Sequence, residues 1–156
     1  MSGNSRFSDV GLNMEDLRIA KRHLEEKGLT LSIVKNKHML FETTSRGISG
    51  FLRAFEEVGE RLDGASAADK IVGKAVALLC LQAGIERVYA SVMSREAKEL
   101  FEQNSIHAEW GELVGNILGN CKSATCPFEK LAAEITDPTE AYKKLKALQD
   151  SLEQHG

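Results

Sequence analysis

The residue pattern predicts one α/β domain in which helices cover both sides of a mixed sheet. Three observations carry that expectation. Leu29, Leu31 and Ile33 alternate with Thr30 and Ser32, the two-residue period of a strand. Phe51, Leu52, Phe55, Val58 and Leu62 recur instead at helical spacing. The β-branched and aromatic run Val88 to Val92 leads directly into Ser94, a good helix cap.

Taken in order, residues 1–13 are polar and glycine-containing and are expected to form a flexible N-terminal segment, with the domain at 14–154. Asn13 caps a helix that opens with Glu15 and Asp16 and ends at about Lys27, before Gly28. Residues 29–43 read as a β-hairpin, its second arm containing Met39 to Phe41 beyond the polar Lys35-Asn36-Lys37. A helix follows at about 49–62. Ser66 then caps, with Asp69 near the third helical position, a nearly all-apolar helix running to Ala83 and closed by Gly84. A strand at 88–92, a helix from Ser94 to about Asn104 and a strand at 106–110 come next. A short helical segment at 111–118 precedes a loop holding Cys121 and Cys126. Pro127 opens a helix to about Ile135, and the last helix starts at Thr136-Asp137-Pro138 with Tyr142, Leu145, Leu148 and Leu152 on one face. No internal repeat interrupts this order.

Composition narrows the function classes. Twenty basic against 23 acidic side chains in 156 residues give a formal charge of −3, which argues against a nucleic-acid or anionic-membrane binder. The start of the chain lacks the apolar core of a signal peptide, and the longest apolar run, Ala75 to Leu81, is far too short to cross a bilayer. Three cysteines, an odd number, do not suggest a disulfide framework, so a reduced, cytoplasmic protein is expected.

The stretch Asp69-Lys70-Ile71-Val72-Gly73-Lys74 is the most informative. If helical, it sets Lys70 and Lys74 on one face near the positive end of the helix dipole, each disfavoured by roughly 0.3–1 kcal/mol. Gly73 inside a helix adds about 1 kcal/mol against alanine. A bound anion would explain the cluster, with Lys70 and Lys74 supplying charge, Gly73 permitting close approach and Asp69 orienting the ligand or acting as a base. Ammonium groups turned to solvent, a glycine that lets a neighbour pack and a capping aspartate account for the same residues.

Cys126 is placed just before a helix, where the dipole favours a thiolate, and Glu129 fits a carboxylate reaching back to cap the same turn. A small buried cysteine with a capping glutamate is the plainer reading. A histidine partner, from His23, His38 or His107, could reach Cys126 only through the fold. Arg46 and Gly47 lie in a glycine-punctuated strand-to-helix junction whose N–H groups could nest an anion, although ordinary turn chemistry explains them equally well. Three apparent motifs are discounted. Gly64 to Gly73-Lys74 lacks phosphate-loop spacing, Cys121 and Cys126 lack a second ligand pair, and His107-Ala108-Glu109 falls on a strand with no Pro-Cys-x-x-Cys after it.

Together, Ala68-Asp69-Lys70-Ile71-Val72-Gly73-Lys74-Ala75, the strand Val88-Tyr89-Ala90 leading to Ser94, and Cys126-Pro127-x-Glu129-Lys130 resemble a prokaryotic family of uncharacterised domains with a cytidine-deaminase-like fold. The resemblance spans about residues 14–145. It implies a three-layer α/β/α sandwich with a mixed sheet. In zinc deaminases of that fold the metal ligands stand at the starts of two helices, and the matching positions are Ala68-Asp69-Lys70 and Ser94-Arg95-Glu96, without histidine or cysteine. The resemblance therefore implies the fold without its zinc site, and neither metal nor other cofactor is expected. The leading expectation is a small nucleotide-like or phosphorylated ligand held by Asp69, Lys70, Gly73, Lys74 and Ser94. The alternatives are a thiol-dependent enzyme using Cys126 and Glu129, or a non-enzymatic interaction or sensing module. For that last reading, Trp110 and the final helix offer a homodimer surface.

Overall fold

A computed structural model of the chain describes residues 2–115, 117 and 126–155. The elements are α1 (Ser2–Glu26), β1 (Leu31–Lys35), β2 (His38–Thr43), α2 (Ser49–Glu57), a 3-10 turn at Gly59–Leu62, β3 (Ser66–Val72), α3 (Lys74–Ala83), β4 (Arg87–Ser94), α4 (Arg95–Gln103), β5 (His107–Val114), α5 (Pro127–Ala132) and α6 (Pro138–His155). The five strands form one sheet in the order β2-β1-β3-β4-β5. β1 is antiparallel to both β2 and β3, whereas β3, β4 and β5 run parallel. α1 packs on one face against β1, β3 and β4, burying Leu17, Ala20 and Leu24 against Val34, Ala68 and Tyr89. The larger core lies on the other face, where α3 packs against α4, α5 and α6. This is the three-layer α/β/α architecture with a mixed sheet. No helix among the described residues is long and apolar enough to cross a membrane.

One expectation fails at the centre of the sheet. Residues 66–83 are not a single helix: Ser66–Val72 is the middle strand β3, and the helix starts only at Lys74. Ser66 therefore caps nothing, and Asp69 is not at a third helical position. The physical reason is burial on two sides. Ala67 belongs to one core cluster and Ala68 to the other, and each is at most 1% exposed. A strand covered on both faces carries a near-continuous apolar run, which periodicity alone does not separate from an all-round apolar helix. The small side chains of Ser66, Ala67 and Ala68 suit a strand with helical layers on both sides.

Smaller differences follow the same logic of tertiary context. α1 begins at Ser2, so Asn13 to Asp16 lies inside it and does not open it. Asp16 is buried at 1% exposure and accepts the backbone N–H groups of Asn36 and Lys37 at 2.9 and 2.8 Å, fixing the hairpin turn. β5 continues to Val114, so the helical segment expected from 111 is a strand as far as it is described. The loop position of Cys121 lies outside the described residues. Gly84 does close α3, at φ +80°, donating to the Cys80 and Leu81 carbonyls, and a side chain there would run into the Asp63 carboxylate.

Candidate functional site

Parallel strands β3 and β4 each end in a helix, so the N-termini of α3 and α4 stand side by side at one edge of the sheet. At α3 the start is Gly73-Lys74-Ala75, and at α4 it is Ser94-Arg95-Glu96. The first of these replaces the Ala68-Asp69-Lys70 position expected from the resemblance, because those three residues are strand. Ser94 caps α4 as expected, its hydroxyl accepting the Ala97 N–H at 3.1 Å. It is 2% exposed and serves the helix, so the structure does not present it as a ligand contact.

The start of α3 is occupied by a side chain from elsewhere. Glu129 of α5 accepts the Lys74 N–H on Oε1 and the Ala75 N–H on Oε2, both at 2.9 Å. Its place three residues after Cys126 predicts a cap on its own turn; it reaches across to α3 instead. Gly73 is explained by this contact. A Cβ at that position would come to 2.5 Å from Oε1 and 2.7 Å from Oε2 of Glu129, so only glycine leaves room for the carboxylate. Burial raises the Glu129 carboxyl above its ordinary range. The two N–H groups pull it down, Glu96 pushes it up and the Lys74 charge lowers it, with a net upward shift.

Lys74 is the first residue of α3, and its ammonium donates to the Ala133 carbonyl at 3.2 Å, at the C-terminal end of α5. That places the cation at a helix end that favours it. Lys70 is an exposed residue of β3, so the pair of lysines on one helix face does not exist. Its N–H continues the sheet by donating to the Thr30 carbonyl at 3.1 Å.

Asp69 is half-buried in β3, between Leu31 of β1 and Ala90 of β4, and its Oδ1 accepts the Ile71 N–H at 3.2 Å. Burial pushes its carboxyl up to about 7, against the lowering effect of the Ile71 and Lys70 N–H groups. The Cys80 thiol of α3 is buried and held well above its usual value, by burial first and by the Asp69 charge second.

A groove of about 380 Å³ extends from the start of α3 along its seam with α4, closed at one side by the corner before α6. Lys74, Leu78, Leu81, Glu96, Glu99 and Leu100 line its length. Glu99, Gln103, Asn104 and Thr136 of this lining were not singled out from the sequence. The three-residue spacing of Glu96 and Glu99 on one helix face was the available signal. Of the site residues expected from the sequence only Lys74 lines the groove; Asp69, Lys70, Arg46, Gly47, Gly73, Ser94, Cys126 and Glu129 are not part of the lining. Arg46 and Gly47 lie in the turn after β2, the edge strand separated from β3 by β1.

Cys126 caps α5 without a side-chain bond and is partly exposed. The fold brings none of its candidate histidine partners to it. His107 opens β5 beside Arg87 at the opposite end of the parallel strands and pairs with Glu109 at 2.7 Å. His38 lies on the edge strand β2, and His23 on α1 across the sheet.

Zinc deaminases of the fold that the sequence resembles hold their ion between two such helix starts, and the residues here do not fit one. The two starts offer no thiolate or imidazole, and their carboxylates, Glu96 and Glu129, belong to no group of three or more His, Cys, Asp or Glu side chains that could hold a metal among the described residues.

Comparison with solved structures places a DUF1893 family protein from Thermotoga maritima at a TM-score of 0.78, 29% identical, over 85% of this chain and 89% of that one. RibD from Acinetobacter baumannii aligns at a TM-score of 0.42 with 18% identity, over 82% of this chain and 38% of RibD. No functionally curated protein matches the chain significantly. Residues 19–149 match the family model described as a domain of unknown function, DUF1893, and the chain belongs to that family.

Proposed function

We propose that this domain binds a small nucleotide-like molecule at the paired starts of α3 and α4, with Glu129 as the carboxylate that meets the N–H groups of its base. The observation that carries the reading is the fixing of the Glu129 carboxylate on the Lys74 and Ala75 N–H groups at the start of α3, next to the end of the groove that Lys74 lines. Each carboxylate oxygen has a second lone pair, so both can still accept from a ligand. The raised Glu129 carboxyl also makes this group a better proton acceptor than an ordinary glutamate. The phosphate part of the expectation loses its main support with the lysine pair, since Lys70 is elsewhere and the Lys74 ammonium is engaged. The base-recognition part gains a positioned acceptor.

Titration of the purified protein with adenosine, cytidine and uridine, followed by calorimetry, tests this. The amino-bearing bases are expected to bind about tenfold tighter than uridine, whose one base donor, N3–H, is flanked by two carbonyl oxygens that the carboxylate repels. Glu129→Gln should remove that preference. Absence of binding by all three, or a preference unchanged by Glu129→Gln, overturns the reading.

A further inference from the structure

We propose that the last turns of α6 pair with the same turns of a second copy of this chain, antiparallel about a twofold axis, along Leu148 and Leu152. The first support is what α6 leaves uncovered. Ala141, Leu145, Leu148 and Leu152 follow one another at steps of four, three and four residues, a single apolar stripe. Its first half is core: Ala141 and Leu145 are 0% exposed where α6 packs on α3 and α5. After Leu145 no described residue of the helix is buried, and Leu152 is 45% exposed. Length supplies the reason. α6 has 18 residues, about 27 Å, against 10 in α3, about 15 Å, so the stripe outruns its cover.

The second support is the order of charge along the helix, which selects both the occupant and its direction. Lys143, Lys144 and Lys146 precede the centre of the exposed stretch, and Asp150 and Glu153 follow it. Antiparallel pairing about the Gln149–Asp150 step sets the basic half of each copy against the acidic half of the other, whereas parallel pairing sets like on like. Lys144 with Glu140 and Lys146 with Asp150 form exposed pairs within the helix, which hold these charges only weakly. Two leucines from each copy fall short of the roughly 1,200 Å² that a stable interface buries, so the pairing is weak and concentration-dependent. Trp110, the other residue expected at a homodimer surface, packs against the larger core with the Lys98 ammonium 5.9 Å from its ring centre.

Sedimentation equilibrium of the full chain at low salt, from about 10 µM to about 1 mM, tests this. The mass is expected to rise from 17.1 kDa toward twice that value, with half the protein dimeric near about 100 µM. Leu152→Glu, at an exposed position and checked for folding by circular dichroism, should weaken the dimer at least about tenfold. Two charge variants probe the direction: Lys144→Glu with Lys146→Glu, and Asp150→Lys with Glu153→Lys. Each should stay monomeric alone, because its two halves then carry one sign, and an equimolar mixture of the two should regain a dimer. A single-chain mass throughout the range leaves the stripe to some other occupant and overturns the proposal. A dimer equally tight in Leu152→Glu lies elsewhere on the molecule and overturns it too. A dimer lost in Leu152→Glu but untouched in both charge variants overturns the antiparallel arrangement.

Discussion

Glu129 and Lys74 hold each other's helices at two points. The Glu129 carboxylate takes the backbone N–H groups of Lys74 and Ala75, and the Lys74 side chain takes the Ala133 carbonyl at the far end of Glu129's own helix. The six-residue α5 is too short to be stable alone, so these polar contacts, with the burial of Ala132, dock it on α3. Docking α5 also puts a carboxylate at the start of α3, beside Glu96 of α4.

That relationship makes Gly73 the most sensitive small residue of the site. Gly73→Ala would set a methyl group 2.5 Å from Glu129 Oε1. The glutamate can swing away, so the cost is the loss of its two hydrogen bonds more than a clash, about 1.5–3 kcal/mol. Urea unfolding of Gly73→Ala, Glu129→Ala and the double variant is expected to be strongly non-additive, the double losing little more than either single. Additive losses would show that Gly73 and Glu129 act independently. In Gly73→Ala the Lys74 and Ala75 amides should exchange with deuterium faster than those of β4.

These two residues also show what the sequence could and could not tell. Gly73, Lys74 and Glu129 each stood out for a local reason, and the fold brings the three together. Their partnership was not legible, because Glu129 fits a capping role in its own turn as well as it fits a contact 55 residues away. The hairpin, β4, Ser94's cap and α6 follow local patterns that tertiary packing does not contradict. β3 is not legible as a strand because Ala67 and Ala68 are buried on opposite faces and Asp69-Lys70 interrupts its apolar residues, so no two-residue period shows, and the lysine pair that a helix would make dissolves in the strand. Lys70 and Lys74 are four apart in sequence, but Gly73 separates a strand from a helix between them.

The hairpin offers a second measurement. Asn36 and Lys37 sit at φ +52° and +67°, and Asp16 accepts both their N–H groups. Asp16→Ala leaves two turn donors without their charged acceptor and should cost about 2–3 kcal/mol in urea unfolding. Lys37→Gly relieves a left-handed backbone and should stabilise by about 0.5–1 kcal/mol, less a few tenths for the exposed ion pair to Glu15. A loss of stability in Lys37→Gly would mean that the ion pair outweighs the backbone conformation.

Thiol chemistry separates the two described cysteines. Cys80 is 1% exposed with its thiol pushed well above the usual value by burial and by Asp69, whereas Cys126 is partly exposed at the start of α5. Native protein treated with iodoacetamide should be modified at Cys126 at least about a hundredfold faster than at Cys80, with Cys80 reacting only as the protein unfolds. Peptide mapping by mass spectrometry reads the order. Early labelling of Cys80 under native conditions would show that the α3 core opens without global unfolding.

Asp69 makes stability depend on pH in a direction opposite to that of a salt-bridged aspartate. Its folded carboxyl titrates at about 7, above the ordinary 3.8, because burial penalises the charged form more than the Ile71 and Lys70 N–H groups favour it. The folded protein therefore holds this proton more tightly than the unfolded chain. The contribution is fully present below about pH 4 and is lost as the pH rises through 7. At 1.36 kcal/mol per unit the shift corresponds to on the order of 4 kcal/mol, and the partial exposure of Asp69 reduces this to a few kcal/mol. Asp69→Asn keeps an oxygen for the Ile71 N–H and removes the charge. It should match the wild type at pH 4.5 and exceed it by about 2–3 kcal/mol at pH 8.5, measured as urea midpoints across that range. Parallel pH profiles for the two proteins would place the ionised carboxylate in water, and Asp69 would then be an ordinary strand residue with no claim on the core.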